Sequence, residues 1–227
     1  MSFNGAVFLS NLIEILSCLG TTFLVMVASL FFSLLLATVT VMGNLGKNKI
    51  FRSIARGYIT LMRCVPPIVL LFVVYYGAPH LVKGAFGVDI NQLDAIYFAI
   101  FALSLLHGAS ISELMRGAYE SVEKGQREAA VSIGLSSFQA FYRIIFPQAL
   151  VTALPTLGNT IVGLLKDGAL AYSIGVVDIT GQASYLISMN LGGYVLETYL
   201  ALALIYWILS LVVQKSFGFL ETRLKKG

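Results

Sequence analysis

Residues 21–42 read TTFLVMVASLFFSLLLATVTVM, and this stretch contains no charged side chain. A helix needs ~20 mostly apolar residues to cross the hydrocarbon core of a bilayer. The stretch meets that requirement over its whole length. It therefore predicts a membrane-spanning helix close to the beginning of the chain.

The composition of the whole chain agrees with this prediction. Of its 227 residues, 58% are hydrophobic and only 11% are charged, against ~25% charged residues in an ordinary soluble domain. Water-soluble and disordered chains are excluded because both need more polar material, and no heptad or G-X-Y repeat indicates a coiled coil or collagen. Cys18 and Cys64 lack the spacing of a disulfide framework or a metal site. An integral membrane protein remains.

Four further apolar stretches are long enough to cross a bilayer, so the chain is predicted to be an all-α bundle of five spans. The five predicted spans are residues 21–42, 59–78, 93–115, 148–165 and 194–213. Residues 3–19 carry one charge, Glu14, and predict an interfacial helix, with a sixth span as the alternative. Residues 168–177 are too short to span and predict an irregular segment buried between helices.

The basic residues test the five-span arrangement. Twelve of the 15 Lys and Arg residues lie between the first and second predicted spans, between the third and fourth, and in the tail that holds Lys225 and Lys226, and Arg63 lies just inside the second span. Cytoplasmic loops carry an excess of Lys and Arg. We therefore expect the N-terminus outside and the C-terminus in the cytoplasm. Because the charges are divided among loops and form no single patch, nucleic-acid binding is not expected.

The connection over residues 117–147 contains helix-forming residues rather than a simple turn. Gly134 is a plausible helix stop, and Ser136 or Ser137 can cap the amphipathic helix that follows. The pattern predicts a short helix, a glycine turn and a second helix beneath the membrane. Such a pair either docks another protein or covers the base of the bundle.

Residues 128–147, EAAVSIGLSSFQAFYRIIFP, resemble the EAA loop of ABC importer permeases. That motif reads E-A-A, three residues, G, nine residues, I, one residue, L, P. The chain matches each fixed position except one, where Phe146 replaces the leucine. The preceding Lys124-Gly125-Gln126 is similar to the polar amino acid branch of this family.

Other segments extend the resemblance along most of the chain. They resemble the R-G-T-P, E-I-x-R-G, L-P-x-x-x-N and L-K-D segments of the branch and lie at residues 63–66, 113–117, 154–159 and 165–167. The chain departs from the branch at Cys64 and Val65, at residues 168–169 where Thr-Ser is usual, and at Leu106 and Ser110 where Asn and Tyr are common.

The resemblance implies a five-span type I importer subunit in the bacterial cytoplasmic membrane that moves polar amino acids by alternating access. It also implies a separate ATPase subunit dimer, a second permease subunit, identical or homologous, and an extracytoplasmic solute-binding protein. The chain has no phosphate-binding loop of its own. We therefore expect it not to be an enzyme, with ATP and Mg bound by the ATPase. The run SIGVVDIT at residues 173–180 favours L-cystine as the cargo.

For the loop, the resemblance implies contact with the ATPase. Glu128 is expected to make a polar contact, Ala129 and Ala130 to allow a close fit, and Gly134 to form the turn. The residues expected to couple the permease to the ATPase are Gln126, Glu128, Ala129, Ala130, Gly134 and Pro147.

Polar residues inside spans usually face the bundle interior or a water-filled cavity. The candidates for the translocation path are His107, Ser110, Glu113, Asn159, Thr160, Lys166 and Asp167. Each has a structural alternative: Glu113 can pair with Arg116, and Lys166 with Asp167. The others can serve as packing or helix–helix contacts. Glu197 lies close to the outer end of the last span and is expected to be wet. No catalytic or metal-ligating residues are expected.

Two other classes of membrane protein remain as alternatives. A small channel or a secondary transporter that is not coupled to ATP is one alternative, although such transporters often show internal repeats and the two halves of this chain share none. The other alternative, a structural membrane scaffold, is disfavoured by the polar third span.

Overall fold

The computed structural model describes residues 3–224, most of which are helical, and these residues contain no strand. Lys225 and Lys226 of the predicted cytoplasmic tail lie outside the described residues. A π-helical turn, Phe141–Ile145, joins α7 to α8, and a 3-10 segment, Ala169–Ile174, follows α8. The helices are α1 Gly5–Leu16, α2 Leu19–Leu45, α3 Lys49–Cys64, α4 Pro67–Phe86, α5 Ala95–Glu120, α6 Lys124–Ser132, α7 Ser137–Ala140, α8 Phe146–Gly168, α9 Ile179–Met189 and α10 Val195–Leu224.

Five helical stretches of the described chain are long and apolar enough to cross a membrane, which confirms the predicted five-span fold. They are Leu19–Leu45, Pro67–Phe86, Ala95–Glu120, Ser137–Ile174 and Val195–Leu224. The short helix α1 has 12 residues, or about 18 Å at a rise of 1.5 Å per residue. The hydrocarbon core is ~30 Å thick, so α1 does not form a sixth span.

The second span differs from its predicted position at residues 59–78. The chain breaks at Val65, which is extended with φ −91° and ψ 130°. Pro66 disfavours helical backbone at the residue before it, and Pro67 is tolerated at the first position of the next helix because it needs no N–H there. The spanning helix is therefore α4, and Arg63 lies in the last turn of α3 instead of inside a span.

Helix α5 is the most buried of the five spans and packs against α2, α3, α4 and α8. Its contact with α2 is built from small residues. The Ser33 hydroxyl donates to the Ser104 carbonyl at 3.4 Å, and the Ser104 hydroxyl donates to the Ser29 carbonyl at 3.4 Å. A Cβ atom at Gly108 would lie 3.0 Å from Leu36 Cδ2 of α2 and 2.9 Å from the Tyr58 hydroxyl of α3. Small side chains therefore bring these backbones close together, as in other membrane helix pairs.

The N-terminal helix α1 is fixed to the start of α10. The Asn11 side-chain amide donates to the Thr198 hydroxyl at 2.8 Å, and the Asn4 backbone N–H donates to Glu197 Oε1 at 2.9 Å. Ile15 is fully buried in a cluster with residues of α9 and α10. Glu197 is thus buried and bonded, and the expectation that it is wet was wrong because α1 covers it.

The segment after α8 is covered by protein rather than by lipid. Ala171, Ile174 and Val176 are buried in the same apolar cluster as residues of α4 and α5. Gly175 closes the 3-10 segment with φ +95°. The irregular backbone at residues 168–177 therefore lies between helices, the setting that such backbone requires at membrane depth.

Candidate functional site

The first half of the loop between α5 and α8 ends in a glycine turn. Gly134 has φ +90°. Its N–H donates to the Val131 carbonyl at 3.0 Å, and the Leu135 N–H donates to the Ala130 carbonyl at 3.2 Å. These two bonds form a Schellman motif, in which glycine adopts the left-handed conformation without steric cost. The predicted helix stop is therefore confirmed at atomic detail.

The second half begins with a capping box. The Gln139 N–H donates to Ser136 Oγ at 3.2 Å, and the Ser136 N–H donates to Gln139 Oε1 at 2.9 Å. Of the two serines that could cap this helix, Ser136 is the one that does so. The reciprocal bonds satisfy two backbone donors that the helix start would otherwise leave open. The turn and the cap together hold α6 and α7 at a set angle.

A π-helical turn continues α7 into the membrane span. The Phe146 N–H donates to the Phe141 carbonyl, five residues back. Pro147 follows and has no N–H to continue the regular ladder. Phe138, Tyr142 and Phe146 stack along this stretch with ring centroids 6.3 Å and 6.1 Å apart. The second half of the loop and the fourth span therefore form one continuous helical element of 38 residues, Ser137–Ile174.

A groove of about 870 Å³ opens between α6, the end of α5 and the π-helical turn. It combines charged side chains on the rim with apolar side chains beneath them. Its lining residues are Tyr119, Glu120, Val122, Glu123, Lys124, Arg127, Glu128, Val131, Ser132 and Ile145. A concave surface of this kind suits the insertion of an element from another protein.

The residues expected to face an ATPase divide into two groups. Gln126, Glu128 and Ala129 are exposed on α6, and Glu128 lines the groove. Ala130 is only 2% exposed, because it lies where α6 packs against α7 and the π-helical turn. The expectation that Ala130 gives a close fit to an external surface is therefore corrected, since its methyl group packs within the chain.

Three charged residues near the end of α5 form an ion-pair network. Arg116 Nη2 lies 2.7 Å from Glu113 Oε2, and its Nε lies 3.0 Å from Glu113 Oε1. Arg116 Nη1 lies 2.6 Å from Glu120 Oε2, and Asn44 donates to Glu113 at 3.5 Å. Both carboxylate oxygens of Glu113 are engaged. The geometry thus matches the structural alternative for Glu113.

The structure brings together two path candidates that lie 60 residues apart in sequence. His107 Nε2 of α5 lies 3.1 Å from Asp167 Oδ2 of α8. The His107 side chain is 7% exposed and that of Asp167 is 31% exposed. The other ring nitrogen, Nδ1, is buried and has no partner within residues 3–224. The pair joins two spans and leaves one face of the carboxylate accessible.

The remaining path candidates lie on α5 and α8. The Ser110 and Thr160 hydroxyls donate to carbonyls of their own helices, at 3.4 Å and 2.9 Å. Asn159 and Lys166 are exposed, and the described part of the chain offers Lys166 no salt bridge. Asp167 pairs with His107 instead, so Lys166 and Asp167 do not form the local pair that was one alternative.

An exposed polar stripe runs along α8 at helical spacing. Its members are Thr152, Thr156, Asn159 and Lys166. Polar and charged groups that face hydrocarbon carry a high free-energy cost. The stripe is therefore the face of α8 that is suited to an aqueous path or to another protein subunit.

Asp178 is a buried acidic residue that was not among the predicted site residues. Its Oδ1 accepts from the Thr180 N–H at 3.0 Å and from the Gly181 N–H at 2.8 Å, which caps α9. The residue is 2% exposed, and burial raises the pKa of Asp178 to about 6. The local sequence Asp-Ile-Thr-Gly predicts a capping role for this residue, since aspartate is a preferred N-cap.

Residues 3–224 contain no group of His, Cys, Asp or Glu side chains that could hold a metal ion.

Residues 29–226 match the family described as "Binding-protein-dependent transport system inner membrane component". The chain belongs to this family. It is thus a multi-pass membrane permease subunit of an ABC importer, and the channel and secondary-transporter alternatives are not favoured. The family is one of transport permease subunits, and the five spans described above fit that assignment.

Among its relatives, the permease is 39% identical over 209 residues to the L-cystine transport system permease protein TcyL of Bacillus subtilis. The match covers 92% of this chain and 86% of TcyL. The permease is also 35% identical over 156 residues to the histidine/lysine/arginine/ornithine transport system permease protein HisQ of Escherichia coli. That match covers 67% of this chain and 68% of HisQ.

Solved structures support the fold. A chain from the crystal structure of an amino acid ABC transporter with histidines superposes with a TM-score of 0.84 and 27% identity. The superposition covers 98% of the permease and 100% of that chain. A chain of the inward-facing MetNI methionine ABC transporter superposes with a TM-score of 0.69 at 17% identity, over 98% and 99% of the two chains. The latter likeness concerns the fold alone.

Proposed function

We propose that the permease imports polar amino acids, with L-cystine as the favoured cargo, through an ATP-driven cycle of alternating access. The main support for this proposal is the loop between α5 and α8. Its Schellman turn and capping box hold Glu128 at the rim of a groove that is large enough for a protein contact. The names of TcyL and HisQ, which specify L-cystine and basic amino acids, support an amino acid as the cargo. The higher identity and coverage of TcyL support cystine.

The groove is the proposed docking site of a cytoplasmic ATPase subunit dimer. Glu128 makes the polar contact, Gln126 and Ala129 lie on the same exposed helix, and Gly134 and Pro147 set the course of the chain on either side. ATP and Mg are bound by the ATPase subunits, not by this chain. Closure of the ATPase dimer moves α6 and α7, and the continuous helix from α7 to α8 transmits that movement into the membrane.

The proposed orientation places the loop in the cytoplasm, the N-terminus outside and the C-terminus inside. The excess of Lys and Arg in the two connections α2–α4 and α5–α8 supports it. A solute-binding protein then delivers cargo from the outer face of the bacterial cytoplasmic membrane. The family description, which names binding-protein-dependent transport, supports that partner.

The proposed path lies along the polar stripe of α8, opposite a second permease subunit that is identical or homologous. A zwitterionic amino acid needs a partner for each charge. Asp167 offers its accessible carboxylate face to the ammonium group, and Lys166 offers an ammonium to the cargo carboxylate. His107 holds Asp167 in position from the side of α5. In this proposal Asn159 lines the stripe, and Ser110 and Thr160 stabilise their own helices.

The test is purification of the tagged permease from its native membrane in mild detergent, followed by uptake of radiolabelled L-cystine into proteoliposomes. We expect an ATPase subunit to copurify in stoichiometric amount and uptake to require ATP and the binding protein. Glu128→Lys and Gly134→Glu should each remove the ATPase subunit and leave membrane insertion intact. Gly218→Glu, at an open position of α10 far along the chain from the loop, is the control that should retain it.

One outcome would contradict the proposed coupling to an ATPase. In it, the permease is recovered alone and fully folded, and it moves cystine without ATP. Uptake of histidine or arginine in preference to cystine, with coupling intact, would contradict only the choice of cargo.

A further inference from the structure

A second cavity has a volume of about 390 Å³. It shares one lining residue, Glu120, with the groove described above. This volume lies within the range of small-molecule sites, roughly 300–1,000 Å³. The ends of α2 and α5 form one wall and α3 forms the other. The lining residues are Asn44, Leu45, Arg56, Ile59, Thr60, Arg63, Glu113, Arg116 and Glu120.

The side chains of α3 show which side of this helix faces the cavity. Arg56, Thr60 and Arg63 share one face, because residues three, four and seven apart lie on the same side of a helix. The opposite face carries large exposed apolar side chains, at Ile50, Phe51, Ile54 and Leu61. That apolar face suits hydrocarbon, so the cavity is turned away from lipid. A lipid head group is therefore a poor occupant.

The charges in the cavity leave groups of both signs available. Arg63 makes no hydrogen bond or ion pair within residues 3–224. Arg56 uses its Nε for Asn44 Oδ1 at 3.2 Å and keeps its two terminal nitrogens open. Glu120 uses Oε2 for Arg116, which leaves Oε1 open. The Glu113 carboxylate is neutralised by Arg116. The free groups are thus guanidinium donors on α3 and one carboxylate oxygen on α5.

This combination matches the two charged groups of a free amino acid. A carboxylate forms its strongest hydrogen bonds with a guanidinium, and an ammonium group pairs with a carboxylate. A simple anion would engage only the arginines, and a simple cation only Glu120. A zwitterion satisfies both, so the shared chemistry points to the α-carboxylate and α-ammonium groups rather than to any particular side chain.

We propose that this cavity binds an amino acid from the cytoplasmic side and that its occupation slows import. The proposal rests on the function and orientation proposed above. Glu120 supplies the link to the transport cycle, because it lines both this cavity and the groove proposed to dock the ATPase. An ammonium group that draws Glu120 away from Arg116 changes the rim of that groove. Accumulated cargo would in this way limit its own uptake.

The test uses the complete transporter in proteoliposomes, with ATP inside and with binding protein and radiolabelled L-cystine outside. Glycine, the smallest zwitterionic amino acid, is enclosed at about 10 mM as the probe. We expect internal glycine to slow cystine uptake and ATP hydrolysis several-fold. Acetate and methylammonium, which each carry one of the two charges, should have little effect at the same concentration.

Variants then assign the effect to the cavity. Arg63→Gln should raise the glycine concentration for half-inhibition roughly tenfold, the size expected from the loss of one charged hydrogen bond. Arg63→Lys should be intermediate, and Arg56→Gln provides a second test should Arg63→Gln assemble poorly. Lys49→Gln changes a basic residue of α3 that does not line the cavity, and it should remain as sensitive as the unmodified protein.

The outcomes separate this inference from the proposed function. Normal ATP-driven uptake that ignores internal glycine overturns the cavity proposal alone. Inhibition that Arg63→Gln and Arg56→Gln leave unchanged also overturns it, because glycine would then act elsewhere on the path. Loss of ATP dependence in the absence of glycine would instead contradict the proposed function.

Discussion

At the residue scale, Gly134 has a requirement that its neighbours do not share. Its φ of +90° is disfavoured for residues with a Cβ atom by roughly 1–2 kcal/mol, and the turn that it forms orients α6. Nothing lies within 4 Å of a Cβ atom built there. The cost of a substitution at Gly134 is therefore conformational rather than steric.

We predict that Gly134→Ala lowers the amount of ATPase subunit that copurifies with the permease. Gly125→Ala is the matched control, because Gly125 lies in α6 without a positive φ and with open space around its Cβ position. There alanine should be neutral or stabilise the helix by up to about 1 kcal/mol. The measurement is quantitative copurification, and equal recovery of ATPase with both variants would contradict the role of the turn.

Asp178 gives a prediction about pH. Burial raises the pKa of Asp178 above the usual range of an aspartate, to about 6, so the folded state favours the protonated carboxyl group. Such a group contributes stability at low pH, and this contribution is lost as the pH rises through about 6. The midpoint of thermal unfolding should therefore fall between about pH 4 and pH 7.

Asp178→Asn isolates this effect, because asparagine keeps an oxygen that can cap α9 and does not titrate. We expect the pH dependence of the unfolding midpoint to flatten in this variant. Asp178→Ala should in addition lose the cap, at a cost of about 1 kcal/mol. Thermal unfolding in detergent across this pH range checks both variants. An unchanged pH profile in Asp178→Asn would assign the dependence to other groups.

At the scale of single elements, the order of the loop between α5 and α8 depends on how its second helix, α7, begins. Ser136 and Ser137 are adjacent and both exposed, but only Ser136 takes part in the reciprocal bonds with Gln139. Since α7 has four residues, few internal hydrogen bonds hold it. The capping box and the continuation into α8 therefore supply most of its order.

Ser136→Ala is expected to destabilise the start of α7 by about 0.5–2 kcal/mol, the usual cost of losing a serine N-cap. Ser137→Ala is the matched control and should behave like the unmodified protein. Hydrogen exchange of the Gln139 backbone amide, which donates to Ser136 Oγ, measures the effect directly. Equal protection of this amide in the two variants would show that the cap does not order the helix.

At the scale of the whole molecule, the alternation of five spans decides which connections share a side of the membrane. The connection between α4 and α5 and the loop between α5 and α8 lie at opposite ends of α5. Val88, exposed in the former, and Ser137, exposed in the latter, are suited to labelling.

In a background that lacks Cys18 and Cys64, a membrane-impermeant maleimide applied to whole cells should label Val88→Cys and not Ser137→Cys. Permeabilised cells should give labelling of both variants. The reverse pattern would invert the proposed orientation and place the groove outside, where no ATP-driven subunit could reach it. Labelling of both positions in intact cells would contradict a connection that crosses the membrane once between them.

Much of the site could be predicted because its parts are local. The helix stop at Gly134 and the serine cap depend on residues within a few positions of one another, and each span is a continuous apolar stretch. The break at Pro66 was also local. It was missed because the prediction followed the apolar stretch at residues 59–78, and apolarity continues across the two prolines although the backbone ladder does not.

Hydropathy, capping and turn formation act over short distances along the chain, so the class of protein, the number of spans and the chemistry available in the loop follow from the sequence alone. Which distant groups meet is a matter of tertiary packing. That packing pairs His107 with Asp167, buries Glu197 and places Glu120 between two cavities. These outcomes depend on the packing of helices that are far apart in sequence, and small residues such as Gly108 set how closely those helices approach.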